Sequence, residues 1–189
     1  MSSHEELRVI ALTEFAKAGY AGTSLQRIAD VAGLSKSSVL YHFASKEALL
    51  GAAIEPALDR VERMVTDLEN SPLTRESRDR FIAAFVDLLL EHRREVHMFI
   101  NQAPSLIDVP AIDTANGLVA RLAAFFQSAT SSAEEQMRFG IALGGAAYML
   151  VSQENLHLES QSDHAEIREG LITIMTELLA PIPVHTTVA

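Results

Sequence analysis

Between Gly33 and Lys46 the chain sets out hydroxyl, ammonium, phenol and imidazole groups at close spacing: Ser35, Lys36, Ser37, Ser38, Tyr41, His42 and Lys46. Such a set suits a polyanion. Lys36, Tyr41 and Lys46 can meet phosphates, and short hydroxyl side chains such as Ser37 and Ser38 permit close approach to base edges. Lys36 with Leu40, and Ser37 with Tyr41, fall four residues apart, so on a helix they share an outer face. Leu40 has no hydrogen bond to give there. It suits packing on a thymine methyl or a sugar, with bare helix surface as the alternative. Leu34, Val39 and Phe43 are expected to form the inner face.

Other chemistries find less support. The 189 residues include no cysteine, which removes disulfides, thiolate metal sites and cysteine nucleophiles together. No G-x-S-x-G elbow or phosphate-binding loop occurs, so nothing specific points to an enzyme. His92 with His97, and the looser group Glu154, His157, Glu159 and His164, lack the i, i+4 histidine pair of a helical zinc site. Solvated surface is the expectation for both groups, and no metal or other cofactor is implied. The net charge of −10 argues against nucleic acid until it is divided. In the first 50 residues Arg8, Lys17, Arg27, Lys36 and Lys46 balance Glu5, Glu6, Glu14, Asp30 and Glu47, so the excess acid lies beyond. The first residues show no basic and apolar leader. The apolar and glycine run Ile141 to Val151 falls short of the ~20 residues of a membrane span. A soluble, cytoplasmic protein with no membrane partner is expected.

The elements that must position these groups read as helices. Leu7, Ile10, Ala11, Phe15 and Ala18 recur at three- and four-residue steps, with Ser3 and Glu6 in capping-box spacing and Gly19 as the stop. Thr23 and Gln26 have the same capping-box spacing ahead of a short helix that Gly33 ends. Gln26 is therefore open to two readings, a base contact or a bond back to the Thr23 backbone; Arg27 is equally open between phosphate contact and solvated surface. Ser35 opens a third helix to about residue 42. Ser45 opens a long fourth one to about residue 70, and Pro56 inside it predicts a flexed or kinked point, or else a break. Further helices are expected over roughly 74–93, 96–102, 110–127, 132–153 and 163–181. No stretch alternates with period two. The fold class is all-α, about nine helices: a three-helix helix-turn-helix domain at 1–46, a larger helical domain at 47–182, and a frayed tail at 183–189. Both final helices are apolar on more than one face. Gly140, Gly144, Gly145, Ala146 and Ala147 would let backbones approach, and Ile167, Leu171, Ile174 and Leu178 form a seam for a partner helix.

The stretch Gly19-Tyr-Ala-Gly-Thr-Ser-Leu-Gln-Arg-Ile-Ala-Asp-Val-Ala-Gly-Leu-Ser-Lys-Ser-Ser-Val-Leu-Tyr-His-Phe-Ala-Ser-Lys-Glu-Ala-Leu49 strongly resembles the DNA-binding domain of the TetR family of bacterial repressors. The resemblance covers about the first 50 residues; beyond them only length and helical character agree. It implies a homodimer, double-stranded palindromic operator DNA, and a small-molecule inducer bound in the larger domain. By position it implies phosphate contacts from Thr23 and Ser24, a base contact from Gln26, and reading by Lys36, Ser37 and Ser38. Tyr41, His42 and Lys46 fall where the family often touches the backbone. Two positions depart from the pattern. The family commonly has glycine or alanine where this chain has Ser37, and tyrosine where it has Leu40. An apolar pocket with a few polar groups is also implied. Its candidates are Phe85, Phe99, Gln102, Arg121, Phe125 and Tyr148, with Asn101 and Gln127 as further polar choices. Most of the aromatic residues are expected to be ordinary core. The resulting expectation is a ligand-responsive transcriptional repressor; a helical small-molecule carrier or sensor without DNA binding is the alternative.

Overall fold

The computed structural model describes residues 3–102, 106, 109–155, 163–180 and 182. Among them the chain is wholly helical: α1 (Ser3–Ala18), α2 (Leu25–Val31), α3 (Lys36–His42), α4 (Lys46–Glu69), α5 (Arg75–Glu91), α6 (Arg93–Gln102), α7 (Pro110–Ala129), α8 (Ala133–Asn155) and α9 (His164–Leu179). The expected starts are marked by capping side chains. The Ala48 N–H donates to Ser45 Oγ, the Glu135 N–H to Ser132 Oγ, and the Ala165 N–H to Asp163 Oδ1. Thr74 and Ser77 satisfy each other reciprocally at the head of α5, relieving N–H groups that a helix start leaves without partners. α6 begins a turn earlier than expected. Only His92 separates it from α5, through a non-helical backbone at φ −116°, ψ 38°, and no proline or glycine announces that break. α4 passes through Pro56 unbroken, which removes the reading of two separate segments.

Two compact units result. The first contains Met1–Asp59 with Arg94–Gly117, the second Arg60–Arg93 with Leu118–Ala189. They do not follow a division at residue 46. The first unit keeps the opening half of α4 and includes α6 and the head of α7, because Leu49, Leu50, Met98, Leu106 and Ile112 complete a core begun by Leu7, Phe15, Ile28 and Val39. Burying side chains of this size stabilises the unit by roughly 1.5–3 kcal/mol each relative to exposure.

In the second unit α5 is buried along much of its length, at Phe81, Ile82, Phe85, Val86 and Leu88–Leu90. α9 packs on both α5 and α8. The rings of Phe81, Phe126 and Phe139 run in contact, the last two stacked at 3.8 Å between centroids. Arg78 is 4% exposed and its Nη1 donates to the Leu179 carbonyl at 3.0 Å. A buried cation thus caps the C-terminus of α9, where the helix dipole favours positive charge.

Candidate nucleic-acid interface

The turn between α2 and α3 is built on Gly33, whose φ of +68° lies where side chains are strained. Its N–H donates to Asp30 O at 3.2 Å and the following Leu34 N–H to Ala29 O at 2.9 Å. Both bonds of a Schellman motif are therefore closed. Leu34 sits one residue past the turn and is exposed, so it does not join the inner face as expected. Val39 and Phe43 do.

α3 then presents its other side outward. Ser35 is the N-cap, its Oγ accepting from the Ser38 N–H at 3.1 Å and lying 2.8 and 2.7 Å from the hydroxyls of Ser37 and Ser38. Lys36 and Ser37 are exposed, Leu40 is 40% exposed and Tyr41 is 86% exposed; Ser38 and His42 are half-buried. The His42 ring meets Tyr41 edge-on at 5.4 Å and the α1 residue His4 at 6.2 Å. One ammonium, a serine cluster, a leucine and a phenol thus line one accessible helix face, which suits phosphates at its edges and base edges at its middle.

Thr23, Ser24, Gln26 and Lys46 are each hydrogen-bonded within the protein. Thr23 is 2% exposed, and its hydroxyl donates to the carbonyls of Glu14 and Gly19 at 3.1 and 2.9 Å. Ser24, not Thr23, caps α2, accepting from the Arg27 N–H. Gln26 is on the surface and donates to Asp30 at 2.7 Å, neither bonding back to Thr23 nor pointing at a cap. Lys46 Nζ donates to the carbonyls of Tyr20 and Thr23 at 2.9 and 3.1 Å and lies 4.1 Å over the Tyr20 ring. It pins the α1–α2 turn. Arg27 pairs at 2.9 Å with Glu14, a carboxylate buried in α1.

Sequence reasoning missed Tyr20 and Glu47. The Tyr20 hydroxyl donates to Glu47 at 2.9 Å; burial first, and then that carboxylate, push the phenol well above the ordinary tyrosine range. Glu47 is held below the ordinary carboxylate range by its own backbone N–H, the Ser45 hydroxyl and the Tyr20 hydroxyl. Nothing in the residue types marks this cluster, because its partners come from α4 and the α1–α2 turn.

The pocket candidates are divided between the two units. Phe99 and Gln102 belong to the first unit and Phe85, Arg121, Phe125 and Tyr148 to the second. Phe99 packs against the first unit's core, and Gln102 bonds to α1 and the turn after it. Arg121 is held by Glu69 at 2.6 Å and Glu62 at 3.6 Å, which holds Glu69 below the ordinary carboxylate range. Tyr148 is exposed. Phe85 is buried beside Phe81, and Phe125 meets Phe126 edge-on. His92 and His97 are half-buried rather than solvated. The side chains of Glu154, His157 and Glu159, the expected linker and the tail at 183–189 lie outside the described residues. Among the described residues no cluster of metal-ligating side chains occurs and no helix is long and apolar enough to cross a membrane.

The last two helices each show a second apolar face. On α8, Met137, Ile141 and Tyr148 are exposed along with Gly140, Gly144 and Gly145, while Phe139, Ala142, Ala146 and Leu150 point into the unit. On α9, Leu171, Met175 and Leu179 are buried at four-residue steps, and Ile174 stands out. The expected seam is therefore split: Leu171 belongs to the unit's own core, Ile167 and Leu178 are half-buried, and Ile174 is exposed.

A glycine-turned pair of short helices with an exposed outer face on α3, on a chain that is helical among the described residues, makes a helix-turn-helix. Residues 9–53 match the family model for bacterial regulatory proteins of the tetR family. The HTH-type transcriptional repressor KstR2 of Mycolicibacterium smegmatis is 33% identical over 116 residues, which are 59% of this chain and 55% of that one. The HTH-type transcriptional regulator RutR of Escherichia coli K12 is 49% identical over 49 residues, 26% of this chain and 23% of that one. The chain thus spans about half the length of the first of these relatives and a quarter of the second. The solved structure of the ketosteroid transcriptional regulator KstR2 of Mycobacterium tuberculosis superimposes with a TM-score of 0.68 at 17% identity, covering 97% of this chain and 96% of that one. Over residues 9–53 the chain is thus similar to the tetR family, and its fold is that of the KstR2 structure.

Proposed function

We propose that this chain is a homodimeric transcriptional repressor that leaves a palindromic operator when a small molecule binds. The observation that carries the reading is the outer face of α3, where Lys36, Ser37, Leu40 and Tyr41 stand exposed on a helix whose other side is fixed by Val39 and Phe43. Residues 1–46 read DNA. Ser24, Lys36, Tyr41 and His42 meet phosphates, Ser37, Ser38 and Leu40 meet base edges, and Gln26 lies at the rim. Thr23 and Lys46 contribute by holding the turn. Residues 47–182 bind ligand and dimerise.

The outer faces of α8 and α9 support self-association, since an apolar stripe set with glycines favours a close helix contact across a two-fold axis. Phe85 and Phe125 belong to the aromatic core of the second unit, which suits an apolar ligand. Reading requires the two α3 helices to stand about 34–36 Å apart, one turn of DNA. A ligand acts by preferring dimers in which that spacing is lost, and a tenfold preference corresponds to about 1.4 kcal/mol. The work is binding, with no catalytic step, and belongs in the cytoplasm, where operator DNA is accessible.

The test is selection of duplexes from a random pool, followed by titration of the enriched duplex at two salt concentrations. The expected result is a two-fold symmetric consensus whose affinity falls steeply with salt. A protein that enriches no duplex is a carrier or sensor, and the repressor reading is then wrong.

A further inference from the structure

We infer that Gln102, the last residue of α6, is a positioning residue whose carboxamide is inserted into the C-terminal cap of α1 and ties α6 to the operator-reading helices. The inference rests on the repressor reading for its consequence, not for its geometry. α1 and α2 both end at a glycine with positive φ, Gly19 at 76° and Gly33 at 68°. At α2 the second residue past the helix bonds straight back to the carbonyl five residues earlier, Leu34 to Ala29 at 2.9 Å. The corresponding atoms at α1 are the Tyr20 N–H and the Phe15 carbonyl. Here Gln102 bridges them. The Tyr20 N–H donates to Gln102 Oε1 at 2.8 Å, and Gln102 Nε2 donates to Phe15 O at 3.2 Å.

The bridge has one orientation. Rotating the carboxamide by half a turn would set two donors against each other at Tyr20 and two acceptors at Phe15. Its position also matters to DNA reading, because the next atoms in line are those of the α1–α2 turn. The Tyr20 carbonyl accepts from Lys46 and its hydroxyl donates to Glu47, both at the start of α4. Lys46 also reaches the Thr23 carbonyl, one residue before the cap of α2. Tyr20 is thus gripped by α6 through its N–H and by α4 through its carbonyl and ring. α6 in turn follows α5 with His92 alone between them.

The cap of α1 is consequently a two-state element. With Gln102 in place, the spacing between Tyr20 and Phe15 is set by a side chain of α6. With Gln102 withdrawn, the same N–H and carbonyl can close on each other, as their counterparts do at α2. Neither state leaves that N–H and carbonyl unpaired, and the placing of α6 decides which turn geometry leads into α2 and α3. Small displacements become discrete choices in this way.

The test uses the full chain, 15N-labelled, with the duplex enriched by the wild type and a random-sequence duplex as probes. Gln102→Ala should keep its helical content and shift the Tyr20 amide resonance. It should bind the enriched duplex about tenfold more weakly while binding the random duplex as the wild type does. Gln102→Glu should be weak at neutral pH, where a carboxylate cannot donate to Phe15. It should recover the wild-type preference as pH falls to about 4, below the ordinary glutamate value, because a protonated carboxyl both accepts and donates. A merely structural role would not restore sequence preference on protonation. An unmoved Tyr20 amide in Gln102→Ala, an unchanged preference in both variants, or a Gln102→Glu protein that stays weak at low pH would each overturn the inference. Failure of the repressor reading is distinguishable, since it shows in the wild type, which then enriches no duplex.

Discussion

Ile141 stands 61% exposed on the outer face of α8, and Ile141→Asp tests what covers it. Complete burial of an isoleucine side chain is worth roughly 1.5–3 kcal/mol, so covering the exposed part of this one yields about 1–2 kcal/mol per protomer. A two-fold contact counts the residue twice, giving ~2–4 kcal/mol, or roughly a 30- to 800-fold weaker dimer before any charge is considered. Two buried carboxylates facing each other add a desolvation cost to that loss. The monomer should be spared, since Phe139, Ala142 and Ala146 hold α8 to its own unit and Ile141 does not. Sedimentation equilibrium at micromolar concentration should therefore show a dimeric wild type and a largely monomeric variant with unchanged helical content. Operator affinity should fall with dimerisation, because one reading helix spans only a half-site. A variant that sediments as the wild type does would refute the assignment of this face to self-association.

Four further outcomes are expected. Lys36→Ala should weaken binding similarly on all duplexes and lower the salt slope by ~1 per protomer; a loss confined to one base position would contradict phosphate contact. Leu40→Ala should lose affinity only on duplexes carrying a contacted thymine, by ~1–3 kcal/mol, and replacing that thymine with uracil should reproduce the loss; equal binding to thymine and uracil duplexes would leave Leu40 as bare surface. The side-chain hydrogen bond from Arg168 is the main reason Asp87 stays charged below its ordinary value of 3.8, so the pair's stabilisation is complete above that value and is lost as pH falls through the depressed one. Acid unfolding of Asp87→Asn should accordingly depend less on pH in that window, and an identical acid profile would count against the pair. Pro56→Ala should raise the melting temperature by returning an N–H to the Ala52 carbonyl, and unchanged operator affinity in that variant would show that α4 does not flex there.

The helices were legible because their starts are written in local chemistry. Ser35, Ser45, Thr74, Ser132 and Asp163 each cap at or beside the expected position, and Gly19 and Gly33 stop helices through a backbone angle that favours glycine. The break at His92 was not legible, since that residue carries no such mark and the bend depends on packing. The site divided the same way. The outward set of α3 followed from spacing around Val39 and Phe43, whereas Thr23 and Lys46 look like phosphate ligands until Glu14, Gly19 and Tyr20 are seen around them. Contacts between residues 82 or 87 positions apart, such as those of Gln102, leave no periodic trace. The seam on α9 failed at Leu171 because steps of three and four describe both faces of a helix that is apolar on each.

The core of the first unit has a consequence for how the protein is made. A ribosome releases α1, α2 and α3 first, but Met98, Leu106, Val109 and Ile112, which share one core with Leu49, Leu50 and Ile54, arrive only after α5 has been synthesised. The second unit's Arg60–Arg93 segment is thus an insertion within the first. The nascent head must wait half-finished, its inner leucines wetted, although N-terminal domains generally fold first during synthesis. The same interruption governs recombination. A hybrid regulator that borrows these reading helices at a single crossover inherits an open core, and one that carries the 94–117 segment across with them inherits a closed one.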